Sequence, residues 1–92
     1  MDPTQFEAAL RQDGYTEVAT KSQPPGHTAP EHAHPFDVRA LVLEGEITLT
    51  VDGKGTAYRA GEVFTMEGGR PHAESIGAEG VRILSGRRHK PA

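Results

Sequence analysis

The sequence has no cysteine and no tryptophan, and it contains only two tyrosines and three phenylalanines among 92 residues. The absence of cysteine excludes disulfides, thiolate zinc sites and cysteine nucleophiles. No apolar run approaches the ~20 residues that a transmembrane helix needs. The first five residues lack the basic and apolar segments of a secretory signal. We therefore expect a cytoplasmic protein that has no membrane partner.

Positive charge is also scarce, since ten lysines and arginines are outweighed by thirteen acidic residues, giving a net charge of -3. That balance argues against nucleic acid as a partner. By contrast, glycine occurs eleven times and proline seven times, so the chain must contain many turns. Few helical patterns accompany these turns, which favours an all-β fold.

The length predicts one domain over residues 1–92. A chain of this size buries only ~60–65% of the surface that it exposes when unfolded. Burial against a partner, or a bound metal, would therefore add usefully to its stability.

One short helix is predicted, over about residues 3–12 of the N-terminal segment 1–14. Asp2 is suited to the N-cap, and the proline after it is suited to the first helical position. Phe6 and Leu10 follow at helical spacing. We expect them to pack on the outside of the β domain or against a partner chain.

The rest of the chain reads as about eight short strands with turn signals every ~8–12 residues, a pattern typical of sandwiches and barrels. The predicted strands are 15–22, an extended segment from His32, 38–43, 47–51, 56–58, 63–66, 71–76 and 81–84. Predicted loops and turns are 23–31, 44–46, 52–53, 67–70 and 77–80. The basic segment 87–92 is predicted to be a mobile tail.

Two histidines in the first half of the chain, His32 and His34, are one residue apart. On extended backbone they point to the same face, because strand side chains alternate with a period of two. A third histidine, His72, follows a second glycine-rich turn. On one inward face, His32 and His34 would be two buried imidazoles that need partners, and a metal satisfies both at once. We predict one divalent transition metal on these residues, with iron, zinc, nickel, manganese and copper left open. The alternative is a barrel that keeps three histidines without a metal.

The spacing of these residues resembles the two sequence motifs of the cupin superfamily, in the form of a small single-domain cupin. The first motif is carried by Gly26, His32, His34 and Gly45, and the second by Gly61, Gly69 and His72. The resemblance implies an all-β jelly-roll β-barrel, a metal bound inside it by histidines, and frequent homodimers. Exposed edge strands, which need covering, also favour a homodimer.

The sequence departs from the motifs at three positions. Val38, which cannot ligate, stands where the family has a glutamate, while Glu67 replaces the proline and Ile76 the asparagine of the second motif. Asp37 lies one residue from the expected carboxylate. A β-bulge could turn Asp37 into an extra metal ligand, but alternation places it on the face opposite to the histidines.

Four further residues are candidates for the surroundings of the metal. Glu74 follows His72 by two residues, so on a strand both face the same way. It is a candidate catalytic base, second-sphere partner or fourth ligand, unless a bulge turns it to solvent. Phe36 and Val38 are expected to line the substrate pocket. Arg70 would clamp a carboxylate there, or is an exposed turn residue.

Two functions follow from these assignments and stay open. The first is a metal-dependent oxidoreductase, dioxygenase-like, acting on a small chelating organic acid, with a small anionic substrate bound at the metal. The second is a non-catalytic module in which the metal stabilises the fold or the domain senses a ligand. Without a metal, the remaining possibility is a structural or sugar-binding barrel.

Overall fold

The computed structural model describes residues 1–89, and the last three residues of the predicted tail lie outside the described part. In order along the chain, the described elements are α1 (Pro3–Gln12), β1 (Thr16–Gln23), β2 (Thr28–His32), β3 (Phe36–Val51), β4 (Lys54–Arg59), β5 (Val63–Met66) and β6 (His72–His89). All the strand pairs are antiparallel. The predicted all-β class with one short N-terminal helix is confirmed.

The helix α1 begins as the sequence predicts. The side chain of Asp2 accepts a hydrogen bond from the backbone N–H of Thr4 at 3.1 Å, which satisfies one of the free donors at the helix start. Phe6 and Leu10 are buried. They belong to an outer apolar cluster of Phe6, Leu10, Tyr15, Leu41 and Leu84. The helix therefore covers the outside of the sheet within this chain.

The two long strands β3 and β6 each replace two of the predicted strands. The predicted turns at 44–46 and 77–80 are wrong, because β3 and β6 pair with each other on both sides of these segments. The register shifts near Gly45 show that the strands bend there without ending. Gly45 has a positive φ of 79°, and a side chain at this position would overlap the carbonyl oxygen of Gly80. The glycines that suggested turns allow two bent backbones to approach closely.

The bends divide the sheet into two four-stranded halves. In one half, residues 72–76 of β6 lie between β2 and the end of β3, and β4 pairs with that end of β3. In the other half, residues 81–89 of β6 lie between β1 and the start of β3, which also pairs with β5. The inner cluster, drawn from both halves, is Ala40, Val42, Ile47, Leu49, Phe64, Met66, Ile76 and Val81. The two halves thus enclose one core, as in a jelly roll.

Two further segments were assigned to the wrong kind of structure. Residues 28–31, expected in a loop, form β2 together with His32, because this segment pairs with the start of β6 despite containing a proline. Residues 87–89, expected in a tail, continue β6 because they pair with residues 36–38 of β3. None of the described residues forms a helix long and apolar enough to cross a membrane.

Candidate metal centre

The pairing of β2 with β6 brings two distant histidines together. His32 is the register partner of His72, and their ring centroids are 4.5 Å apart. A register shift between Ala29 and His32 precedes this pair. Since β6 is anchored by β3 on its other side, the position of His72 is fixed by the middle of the sheet.

The third histidine lies just beyond the end of β2. The His34 ring centroid is 4.9 Å from that of His32 and 5.3 Å from that of His72. His32 and His34 are partly buried, and His72 is only 3% exposed. The structure therefore brings together the three histidines that the sequence selects.

Glu74 joins this group. Its Oε2 lies 3.4 Å from His32 Nε2 and 3.7 Å from His72 Nε2. One ligand atom from each of the four residues can be chosen so that all lie within 4.8 Å of one another. Ligands ~2.0–2.2 Å from a common ion are separated by about 3 to 4 Å, so small side-chain movements would let all four reach one cation. The donor set of three imidazoles and one carboxylate fits a divalent transition metal.

Two of the histidines are held in one tautomer. His32 Nδ1 lies 2.7 Å from the carbonyl oxygen of Pro30, and His72 Nδ1 lies 2.9 Å from that of Arg70. A carbonyl oxygen only accepts, so each Nδ1 donates its proton. In the neutral ring each Nε2 then carries a lone pair, and both Nε2 atoms lie near Oε2 of Glu74. Such contacts orient metal-binding histidines and set their tautomer.

His34 is held differently, by stacking. Its ring lies 5.0 Å from that of Phe36, and the planes are inclined by 13°. Burial lowers the pKa of His34 below 6.5, and the neighbouring His32 and His72 lower it further, while Glu74 opposes them. The neutral imidazole, which is the form that binds metal, is therefore favoured.

Three of the four residues, His34, His72 and Glu74, border a cavity of about 230 Å³ between the two halves of the sheet. Its lining comprises Lys21, Gln23, His34, Phe36, Val38, Ile47, Leu49, Phe64, Met66, His72, Glu74, Val81, Ile83, Ser85 and Arg87. This volume is below the ~300–1,000 Å³ of typical drug-sized ligand sites, so a ligand here must be small. The sequence-predicted pocket residues Phe36 and Val38 both lie in this lining.

Arg70 does not line this cavity. Its Nη2 lies 3.7 Å from a carboxylate oxygen of Asp52, and half of its side chain is exposed. The structure places Arg70 with Asp52 at a separate surface cleft, so Arg70 is not positioned to clamp a carboxylate in the cavity.

Asp37 lies outside the group of ligand atoms. Its carboxylate accepts a hydrogen bond from the backbone N–H of Gly68 at 2.8 Å and forms an ion pair with Arg88 at 3.2 Å. Asp37 is 6% exposed. No bulge separates Asp37 from Val38 in the pairing with β6, so alternation holds its side chain away from the histidines.

Sequence reasoning missed Arg87, which lines the cavity. The pattern that could have identified it is the alternation of side chains along β6. At intervals of two residues, this strand places in the cavity lining Val81, Ile83, Ser85 and Arg87. The predicted strand ended too early for that alternation to be followed. Lys21 lies on the neighbouring strand as the register partner of Ile83 and lines the same cavity.

A family model described as "Cupin domain" matches residues 20–87. Similar solved structures include the cupin domain of Schizosaccharomyces pombe Cnp3, with a TM-score of 0.71 and 20% identity, covering 79% of this chain and 55% of that one. A Rhizobium leguminosarum protein of unknown function has a TM-score of 0.70 and 19% identity, covering 92% of each chain. A predicted oxalate decarboxylase from Thermotoga maritima has a TM-score of 0.66 and 22% identity, covering 89% of this chain and 73% of that one.

At these identities the likeness shows the fold alone. The chain spans little more than half of the S. pombe cupin chain. No match was found among curated proteins.

Proposed function

The chain belongs to the cupin family, and we propose on that premise that it binds one divalent transition metal through His32, His34 and His72. Glu74 serves there as a fourth ligand or as a base beside the ion. One observation carries the proposal: the ligand atoms of these four residues all lie within 4.8 Å of one another. The Nε2 atoms of His32 and His72 also lie 3.4 and 3.7 Å from Oε2 of Glu74.

The reaction we propose is that of a non-haem, metal-dependent oxidoreductase, dioxygenase-like, on a small chelating organic acid. When bound, the ion supplies a Lewis acid and, if it is iron(II), a centre that can exchange electrons. The small cavity limits the size of the substrate. The structural neighbour described as a predicted oxalate decarboxylase lends support only to the substrate class, a small organic acid.

Glu74 is the residue that we assign to proton transfer. Its side chain is about one quarter exposed, so it can exchange protons with solvent, and its carboxylate faces both His32 and His72. A carboxylate in this position can take a proton from a bound acid and return it.

The second candidate is a non-catalytic module, and the limited pairing of β2 favours it. Only three register pairs join β2 to β6. A metal that bridges His32 and His34 to His72 would tie this weakly paired segment to the middle of the sheet. The ion would then stabilise the fold, or report ligand binding, without turnover.

Oxygen uptake distinguishes the two candidates. Protein reconstituted with iron(II) is mixed with a set of 2-oxo acids, 2-hydroxy acids and β-diketones, and oxygen consumption is recorded. An oxidoreductase consumes oxygen with at least one compound, and it loses this activity in Glu74→Gln. The matched variant Glu79→Gln, at an exposed position away from the cavity, retains it. Metal-loaded protein that consumes no oxygen with any of them favours the non-catalytic module.

We also propose a homodimer. Within residues 1–89, the strands β1, β2, β4 and β5 each pair on one side only. Such edges recruit further strands unless they are covered. Light scattering coupled to size-exclusion chromatography at several concentrations is expected to give twice the chain mass. A monomer at every concentration would contradict the dimer.

A further inference from the structure

We infer that the cavity takes a short organic diacid, with one carboxylate held by Arg87 and the other end facing the His32–His34–His72–Glu74 group. This inference rests on the proposed function, because the second end of the ligand is placed at the metal site. It assigns the specificity of the site to Arg87, on the far end of β6.

The ring of Phe36 contacts both Arg87 and His34, and so connects Arg87 to the candidate metal ligands. Its guanidinium carbon lies 4.5 Å from the centroid of the Phe36 ring, and Phe36 stacks on His34 at 5.0 Å. Two short contacts therefore separate the cation from a metal-binding histidine. A cation–π contact of this kind does not engage the guanidinium N–H donors, so they can still donate to a ligand.

The guanidinium of Arg87 has no carboxylate partner among residues 1–89. The carboxylate of Glu17 is engaged by His89 at 2.7 Å. That hydrogen bond is the main cause of the lowered pKa of Glu17, and the charges of Arg87 and Lys21 contribute less. The other charged arginines of this strand differ in this respect: Arg82 is paired with Glu44 at 2.9 Å and Arg88 with Asp37 at 3.2 Å. An arginine at a cavity wall without such a partner is available to an anion.

The remaining residues of the cavity lining indicate what kind of group should lie between the two ends of the ligand. Most of the wall is apolar and includes Val38, Ile83 and Leu49, while Gln23 and Ser85 add two uncharged polar side chains. Lys21 adds a second positive charge on β1, next to Arg87's strand. A ligand that satisfies the cavity therefore has two polar ends and a short apolar middle. An organic diacid has this form, and a neutral ligand of the same length would leave Arg87 unpaired.

Calorimetric titration of the zinc-loaded protein tests the inference, since zinc cannot be oxidised during the measurement. The probes are succinate, glutarate and 2-oxoglutarate, with glutaramide as the uncharged analogue. The variants are Arg87→Gln and Arg87→Lys, and the matched control is Arg82→Gln, which removes the same charge from the same strand away from the cavity. Zinc content and circular dichroism are recorded for every variant.

We expect at least one diacid to bind, glutaramide not to bind, and Arg87→Gln to weaken diacid binding by about tenfold or more with zinc content unchanged. Arg87→Lys should give an intermediate affinity, because lysine keeps the charge without the fork of donors. Arg82→Gln should bind as the wild type does. Equal affinity in Arg87→Gln and wild type, or no binding of any diacid to zinc-loaded wild type, would overturn the inference and leave the metal site standing. Wild-type protein that takes up no zinc would instead contradict the proposed function itself, and this inference with it.

Discussion

His32 and His72 face each other across β2 and β6 in matching arrangements. Their ring centroids are 4.5 Å apart, and in each residue Nδ1 is bonded to the carbonyl oxygen two residues earlier in the chain. The same local contact on two strands therefore presents two Nε2 atoms to one point. The strand pairing supplies the distance between the rings, and the backbone contacts supply their orientation.

If a metal bridges these residues, its removal should lower the thermal stability of the protein. A ligand that binds only the folded state at 100 times its dissociation constant adds ~2.7 kcal/mol, which shifts the melting temperature of a small domain by roughly 10 °C or more. Scanning fluorimetry with and without a chelator measures this shift. In His32→Ala the chelator should have little effect. His27→Ala, which changes an exposed loop histidine outside the cavity, should respond as the wild type does.

Asp37 is expected to stabilise the fold without binding the metal. Asp37→Asn keeps an oxygen for the Gly68 N–H but removes the charge that pairs with Arg88, at a cost of ~1–3 kcal/mol. Denaturant unfolding measures the loss, and elemental analysis should show unchanged metal content. The comparison variant is Asp13→Asn, which breaks a more exposed pair with Arg39 and should cost less than ~1 kcal/mol. Loss of metal from Asp37→Asn would make Asp37 a ligand after all.

The close approach of β3 and β6 predicts a severe effect of Gly45→Ala. The new side chain would overlap the Gly80 carbonyl oxygen and would also require a positive φ of 79°. We expect a loss of more than ~3 kcal/mol in the free energy of unfolding. Gly53→Ala separates the two causes, since Gly53 has a φ of 78° with open space around it and should cost only ~1 kcal/mol. Equal losses in the two variants would show that the contact with Gly80 does not matter.

The metal-free protein should become less stable as the pH falls through the range where His34 titrates. Burial and the two neighbouring histidines lower the pKa of His34 in the folded chain below its ordinary 6.5. Between these two pKa values the unfolded chain binds a proton that the folded chain does not, so stability rises with pH in this window and levels off above about pH 6.5. Denaturant unfolding from about pH 5 to about pH 7.5 measures the slope. The His34→Asn variant should show a flatter dependence of stability on pH, and His27→Asn serves as the control. If the slope of His34→Asn were as steep as that of His27→Asn, the assignment to His34 would be contradicted.

The sequence predicted the components of the site better than its arrangement. His32, His34 and His72 could be selected because alternation and glycine-framed spacing are local patterns. The cluster that contains them also includes Glu74, as alternation along β6 suggested. The arrangement depends on how the strands pair, which local patterns do not reveal. The register that places His32 opposite His72 requires a shift after Ala29, and no local feature of the sequence indicates that shift.

The misassigned turns have a physical cause of the same kind. Glycines at 45 and 80 have the positive φ of turn residues, yet they lie where two bent strands press together. A glycine that permits a turn and one that permits close packing look alike in sequence. Ending the last predicted strand at residue 84 and assigning residues 87–92 to a tail also hid Arg87, whose place on the cavity wall follows only if β6 continues to residue 89.

The metal content of the purified, untagged protein tests the central claim most directly. After exposure to iron(II), zinc, manganese, nickel or copper and removal of excess ion, elemental analysis should find about one transition-metal ion per chain in the wild type, and a large loss of it in His72→Ala. His89→Ala, which changes a surface histidine paired with Glu17, should retain the ion. Wild-type protein that holds none of these metals, or His72→Ala that holds as much as the wild type, would contradict the account.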